Sequence, residues 1–280
     1  MGCFLCPVCG KELLQEEKAW RCAGGRHSFD KAKSGYVNLL LANAKHSADP
    51  GDNKLMVNAR RSFLEAGYYG PLQEELRRMA EEYLAPAAGW VLDIGCGEGY
   101  YTQALCEAAA SKTNASCETP VQVAGVDISR LALDKAAKRC KQAFFAVASA
   151  YHLPVRSGCC DMAVNLFAPW CGEEIARVLC PGGVLLLAVP GRDHLWELKA
   201  AVYERPYPNE VKEFTLQGFT LLEHQRLHYR IALNSREDIE HLFQMTPYYY
   251  KTSQQDYARL QTLENLKTQV EFHLLAYRKG

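Results

Sequence analysis

From Trp90 onward, apolar and polar positions alternate in blocks that read as strand, helix, strand, helix. "WVLDI" predicts a strand, Tyr100 to Ala110 a helix, "VQVAGV" a second strand and Ser129 to Lys138 a second helix. "AFFAV" and "DMAVNLF" follow as third and fourth strands, Glu173 to Leu179 as a helix, and "GVLLLAV" as a fifth strand. Such alternation predicts an α/β fold, a mainly parallel sheet covered by crossover helices. The tail adds two runs of alternating polarity, "FTLLEHQRLHYRIAL" and "VEFHLLAYR", suited to a hairpin-like pair that closes the sheet. Between them lies a helical, aromatic stretch from Arg236 to Gln261. Upstream, Asp49-Pro50-Gly51-Asp52 is a turn, and Asp52 or Asn53 is placed to cap a helix carrying Leu55, Met56, Ala59, Phe63 and Leu64 on one side. A second amphipathic helix runs from about Pro71 to Tyr83 and is stopped by Pro86 and Gly89. Residues 1–41 break the pattern, being rich in Cys and Gly without helical periodicity. The expected division is a small module at 1–41, a linker and helix at 42–70, and the α/β domain at 71–280.

Charge narrows the partners. With 32 basic and 32 acidic residues the net charge is zero, which excludes a generic polyanion binder, so any nucleic-acid surface has to be local. Lys45, Lys54, Arg60, Arg61, Arg77 and Arg78, with Arg21, Arg26, Lys31 and Lys33, are the candidates; for Arg77 and Arg78 alone a solvated helix face is the favoured reading. No apolar run approaches the roughly 18 residues of a membrane span, and the first residues lack a signal peptide's apolar core. A soluble, cytoplasmic protein without a membrane partner is expected. Its twelve cysteines should then stay reduced. Cys106, Cys140, Cys159, Cys160 and Cys180, in or beside apolar stretches, read as small buried hydrophobes.

After the first strand comes "LDIGCGEGYYT", with Gly95, Gly97 and Gly99 at every second position. Glycines between a strand and a helix let the backbone approach a ligand closely. The dinucleotide fingerprint would need a glycine where Tyr100 stands. The spacing, with Asp93 before it and Tyr100 after it as further cofactor-binding candidates, resembles motif I of class I S-adenosylmethionine-dependent methyltransferases, whose Rossmann-like fold the alternation of strands and helices suits. Asp127 ends the second strand and is placed, with Ile128 beside it, to accept ribose hydroxyls; Ala148 and Ser149 in "VASAYHLPV" stand where that family lines the adenine. "VLCPGGVLLLAVP" resembles the family's turn into the fifth strand. Asp127 lies far beyond the usual offset, and the polar stretch Ser111 to Pro120 accounts for much of the excess. An unliganded βα turn, and a helix cap for Asp127, are the alternatives.

The amino-terminal module carries Cys6, Cys9, Cys22 and His27 in a C-x2-C-x12-C-x4-H pattern. Three thiolates and one imidazole make a tetrahedral zinc shell, and a segment with so little apolar core needs such a staple. Unliganded thiols are the alternative, and Cys3 is a spare that could replace one ligand. A closed four-ligand site has no open position, so it serves structure or recognition. With Phe29, Tyr36 and basic neighbours, it suits RNA loops, whose bases can unstack onto rings.

"CPVCGKEL", "HSFDKAKSGYVNLL", "DPGD", "ARRSFLEAGYYGPL", "GRDHLWELK" and "QMTPYYY" are similar, in order and spacing, to the 23S ribosomal RNA (guanine-N1) methyltransferases of the RlmA type. That resemblance implies a zinc module and Rossmann-like domain forming an RNA cleft, commonly in a homodimer, with S-adenosylmethionine as cofactor. Its implied reaction is methylation of a guanine in a 23S hairpin loop; one subgroup is associated with macrolide resistance. The metal ligands carry over as Cys6, Cys9, Cys22 and His27. In "NLFAPW", where class I enzymes hold the target base, Asn165 can hydrogen-bond it and Phe167 or Trp170 can stack on it. His194 and Glu197 are candidates for proton handling or RNA contact, with a helix surface as the plain alternative; Tyr248, Tyr249 and Tyr250 could overhang the base or fill a core. Two rival readings stand: a small-molecule methyltransferase of the same fold, and a non-catalytic, cofactor-binding rRNA assembly factor.

Overall fold

The computed structural model describes residues 2–41, 51–85, 89–112, 120–211 and 213–280. Three short antiparallel strands, β1 (Leu13–Gln15), β2 (Ala19–Cys22) and β3 (Ser28–Asp30), form a small sheet. At three or four residues such strands are too short to show a period, which is why the sequence reads there as irregular. The main sheet has eight strands: β4 (Val37–Asn38), β5 (Trp90–Ile94), β6 (Gln122–Asp127), β7 (Phe144–Val147), β8 (Cys160–Leu166), β9 (Leu179–Pro190), β10 (Phe219–Leu233) and β11 (Leu266–Lys279). Their spatial order is β10-β11-β9-β8-β5-β6-β7-β4. Strands β4 to β9 pair in parallel, and β11 lies antiparallel between β9 and β10, the expected closing pair. Every residue of β5 is buried, as a strand covered on both faces requires.

Helices α1 (Lys54–Glu65), α2 (Gly70–Tyr83), α3 (Tyr100–Lys112), α4 (Arg130–Arg139), α5 (Gly172–Val178), α6 (Trp196–Val202), α7 (Arg236–Gln244) and α8 (Gln254–Leu260) connect and cover the strands. Asn53, not Asp52, caps α1, its Oδ1 accepting the Met56 N–H at 3.0 Å. Asp52 instead pairs with Arg60. The Cys180-Pro181-Gly182-Gly183 stretch falls inside β9 as a register shift opposite β8. Asp49, Pro50, Lys45, Pro86 and most of the polar stretch before Val121 lie outside the described residues.

The small sheet is bonded to the large one. Strand β4 adds to the edge of β7, Phe4 bridges Val155, and Trp20 packs edge-on against Phe144 at 6.1 Å. Arg77 and Arg78 pair with glutamates on their own helix, Glu74 and Glu81 for the first and Glu75 and Glu82 for the second, and Arg78 also reaches Glu223. They form the solvated face rather than a free basic patch. The described cysteines are free thiols; Cys106, Cys140 and Cys160 are buried, while Cys159 and Cys180 are partly exposed. Among the described residues no helix is long and apolar enough to cross a membrane.

Candidate active site and metal centre

Parallel strands β5 to β9 end on one edge of the sheet, where ligands of open α/β sheets bind. At the end of β5, Gly95, Gly97 and Gly99 have φ of +77°, +55° and +87°, a region that side chains disfavour. A Cβ on Gly95 would lie 2.2 Å from that of Ala168, and one on Gly99 would lie 3.0 Å from the Ala136 Cα. A Cβ on Gly97 would have no atom of the described residues beyond its chain neighbours within 4 Å. Packing explains the outer two glycines; the middle one faces open space.

Asp127 closes this loop. Its Oδ2 accepts the Gly97 N–H at 2.9 Å and its Oδ1 the Ser129 N–H at 2.8 Å. A carboxylate offers about four lone-pair sites, so both oxygens retain acceptor capacity for a pair of hydroxyls. Burial pushes the Asp127 carboxyl up, and the two backbone donors pull it back. The Asp127 carbonyl accepts the Ala148 N–H at 3.0 Å, which aligns the segment after β7 with the loop; Ser149 accepts the Tyr151 N–H at 3.2 Å. Gly51 lies over Ile128, whose Cγ2 is 3.0 Å from where a Cβ would stand. Asp93 is buried and accepts from the Thr102 hydroxyl at 2.6 Å; burial, then the Asp127 charge, raises its carboxyl to about 7. Tyr100, expected at the cofactor, is buried with its ring against Arg139 and Tyr101, so packing accounts for its side chain.

Strand β8 supplies the other half. Asn165 is buried, and its Nδ2 donates to the Ile94 carbonyl at 3.0 Å, tying β8 to the start of the glycine loop. Phe167 follows with φ +59° and is 44% exposed, its ring tilted on Phe272 at 5.2 Å. Holding a bulky residue in the left-handed region costs about 1–2 kcal/mol, and such strain gathers at functional sites. Trp170 is half-buried against the apolar core. His194 does not lie on a helix surface but inside, its ring tilted on Phe272 at 4.7 Å. Its Nδ1 accepts the Glu271 N–H at 3.3 Å, so the proton sits on Nε2, 3.4 Å from the Tyr69 hydroxyl. Burial, helped by the Lys199 charge, drops His194 to about 3, which keeps it neutral. Glu197 is occupied by the Gln269 N–H at 2.9 Å and by Arg230 at 2.6 Å. Tyr248 is partly buried beside Lys199, Tyr249 packs on Phe243, and Tyr250 is exposed.

Two residues escaped the sequence reading. Phe272, the support common to Phe167 and His194, is one more apolar position of an alternating strand. Buried Lys199 donates to Asn209 Oδ1 at 2.6 Å and to the Tyr207 carbonyl at 3.0 Å, partners distant enough along the chain that no local pattern announces them.

In the small module, one ligand atom each from Cys6, Cys9, Cys22 and His27 lie within 4.8 Å of one another. Cys6 Sγ is 3.4 Å from His27 Nδ1, and Cys9 Sγ is 3.4 Å from Cys22 Sγ. Gly10, at φ +69°, turns the first knuckle, and the Gly24 N–H points at the Cys22 sulfur at 3.4 Å in the second. The Lys11 N–H, foremost, lowers the Cys9 thiol to about 6, which favours a thiolate ligand. Cys3 stands apart, buried and with its thiol raised by burial. The donor chemistry and spacing fit zinc, which would be held by these four residues.

Residues 4–48 match the family described as "RlmA, N-terminal", a zinc ribbon, and residues 91–183 one described as "Methyltransferase domain". The chain is 39% identical over 199 residues to the 23S rRNA (guanine(748)-N(1))-methyltransferase of Streptomyces fradiae, an alignment covering 70% of this chain and 66% of that one. Against a Micromonospora griseorubida protein classed as a 23S rRNA (guanine-N(1)-)-methyltransferase the identity is 37% over 211 residues, covering 69% and 67%. The YxjB protein of Bacillus subtilis (strain 168), classed with the same activity, is 29% identical over 283 residues, covering 97% and 95%. The chain thus spans about two-thirds of the first two relatives and nearly all of the third.

Proposed function

Because the chain belongs to the RlmA-type family of 23S rRNA (guanine-N1)-methyltransferases, we propose that it methylates N1 of a guanine in a hairpin loop of 23S ribosomal RNA. The observation that carries the reading is the pairing, along one sheet edge, of an open glycine cradle at Gly97 and Asp127 with the exposed, strained Phe167. The cradle fits S-adenosylmethionine: the space at Gly97 admits a ligand, and Asp127 offers a ribose its remaining lone pairs. That cofactor, when bound, supplies an electrophilic methyl group, so the protein's main task is alignment.

In this reading Asp127, with Ile128, orients the ribose, and Ala148 and Ser149 line the adenine. Phe167 stacks on the extruded guanine, as rings do in enzymes that act on unstacked bases. Asn165 fixes the loop that carries Phe167 and orients the glycine loop through Ile94. Neutral guanine carries a proton at N1, and stabilising charge that develops at O6 as it leaves falls to donors around the base. His194 supports Phe272 under that ring and stays neutral itself. Residues 1–41 recognise RNA, 42–70 link, and 71–280 carry the transfer. The protein works in the cytoplasm, where its ribosomal RNA partner is, and as a homodimer, a reading that rests on the family resemblance.

Primer extension on 23S transcript incubated with protein and S-adenosylmethionine tests this. N1-methylguanine blocks the Watson-Crick edge, so a single cofactor-dependent stop in a hairpin loop is expected. The guanine named for the Streptomyces fradiae relative is the first to inspect. No stop, with cofactor binding intact, would move the reading to a small-molecule substrate.

A further inference from the structure

We propose that the zinc ribbon is itself part of the cofactor site, gripping the adenine-side segment at both ends so that metal and cofactor binding are positively coupled. The inference rests on the cofactor reading above. At one end of that segment, β4 pairs with β7 as Val37 with Ala146 and Asn38 with Val147, and the Leu39 N–H donates to the Val147 carbonyl at 3.1 Å. At the other, the Leu5 N–H donates to the Pro154 carbonyl at 2.8 Å and the Arg156 N–H to the Cys3 carbonyl at 2.9 Å. Between these clamps run Ala148 and Ser149, the first bonded to the Asp127 main chain.

Packing joins the metal ligands to the same clamp. Cys6 and Cys22 are buried in one apolar cluster with Phe4, Trp20, Val37, Ala148, Leu153 and Val155. Cys6 is one residue from Leu5, whose amide makes the bond to Pro154. A ribbon this small relies on its metal as an internal staple beside these few apolar contacts. Losing the metal therefore releases both clamps. The opposing hold comes from α5, where Glu174 accepts the Leu153 N–H at 2.6 Å and Arg177 donates to the Leu153 and Val155 carbonyls at 2.9 and 2.7 Å. That hold grips the far end of the segment, and at the near end β6 holds Val147 and the Ala148 N–H through Asp127, so the ribbon adds the pairing on the segment's other side. If the segment then spends about a tenth of its time in the binding-competent form, apparent cofactor affinity falls about tenfold.

The test uses the full chain, zinc-loaded or chelator-treated, titrated calorimetrically with S-adenosylhomocysteine, together with Val37→Asp, which places a charge in β4 and leaves all four metal ligands intact. About tenfold weaker binding is expected after zinc removal, and the same in V37D with its zinc still measured as bound. Amide exchange at residues 146–153 should accelerate in the zinc-free chain. Exchange confined to residues 3–31, with cofactor affinity unchanged within about twofold, would overturn the inference. If V37D does not fold, the zinc-free wild type alone decides the matter through those amides. Should the zinc-loaded wild type bind no S-adenosylhomocysteine, the cofactor reading fails, and the exchange pattern still tells whether the ribbon holds the segment.

Discussion

At the ends of β5 and β6 the site is made of main chain: three glycines with positive φ and two amides on one carboxylate. At the ends of β8 and β9 it is made of side chains, with Phe167 resting on Phe272 and Phe272 on His194. A main-chain site demands particular residue types at fixed positions, because only glycine accepts such φ values cheaply. A side-chain site shares its atoms with the core, and many apolar residues would support a ring from behind. The first half therefore leaves a signature that the second does not.

The largest effect should come where both halves meet. Gly95→Ala places a methyl group 2.2 Å from Ala168 and forces a side chain into φ +77°. Backbone strain alone costs about 1–2 kcal/mol, and the clash pushes the Phe167 loop as well, so S-adenosylhomocysteine affinity should fall at least about a hundredfold. Gly97→Ala carries the φ penalty without any protein clash. Its stability loss, by urea unfolding, should stay near 1 kcal/mol. A cofactor affinity loss well beyond that marks the open space as the ligand's. Equal losses in stability and affinity would mean that the space is only a turn.

On the side-chain half, Phe167→Ala removes the exposed ring. Base stacking on an aromatic is worth about 1–3 kcal/mol, so kcat/KM on RNA should drop roughly ten- to hundredfold with cofactor affinity unchanged. Phe167→Gly should lose as much activity yet be about 1 kcal/mol more stable than the alanine variant, since glycine relieves φ +59°. Activity unaffected in both variants would return Phe167 to the core. Asp127→Asn, a milder change within the main-chain half, should weaken cofactor binding about tenfold, the scale of a lost hydrogen bond to a charged group.

The same contrast explains what the sequence made legible. The five parallel strands announced themselves by composition, because burial on both faces keeps them mostly apolar, with Asp93 and Asn165 as hydrogen-bonded exceptions. The glycines, Asp127 and the Cys/His knuckle were readable for a related reason: their chemistry admits few substitutes. His194 was legible as a residue and not as an environment. In "GRDHLWELK" its polar neighbours suggest a surface, yet Leu195, at φ +57°, precedes α6 and the histidine packs inward on Phe272, a strand partner far along the chain. Strand β4 stayed hidden because two residues make no period, and its pairing with β7 is wholly a matter of tertiary context.

The smallest expected effect on methyl transfer belongs to that buried histidine. Folded, His194 is held near 3 by burial, whereas an unfolded histidine titrates near 6.5. Between those values the unfolded chain takes up a proton that the folded chain refuses, so this contribution to stability is complete above about pH 6.5 and is lost as the pH falls toward 3, by at most about 1.4 kcal/mol per pH unit. His194→Gln lacks that slope. The stability advantage of wild type over the variant, measured by urea unfolding, should shrink steadily from pH 7 to pH 4. For methyl transfer the two proteins should share the position of any inflection between pH 5 and 8, even if the variant is slower because Phe272 and Phe167 are less well supported. An inflection that disappears in H194Q would mean that the imidazole exchanges a proton during the reaction, and would move the boundary between core and chemistry one layer deeper than Phe167.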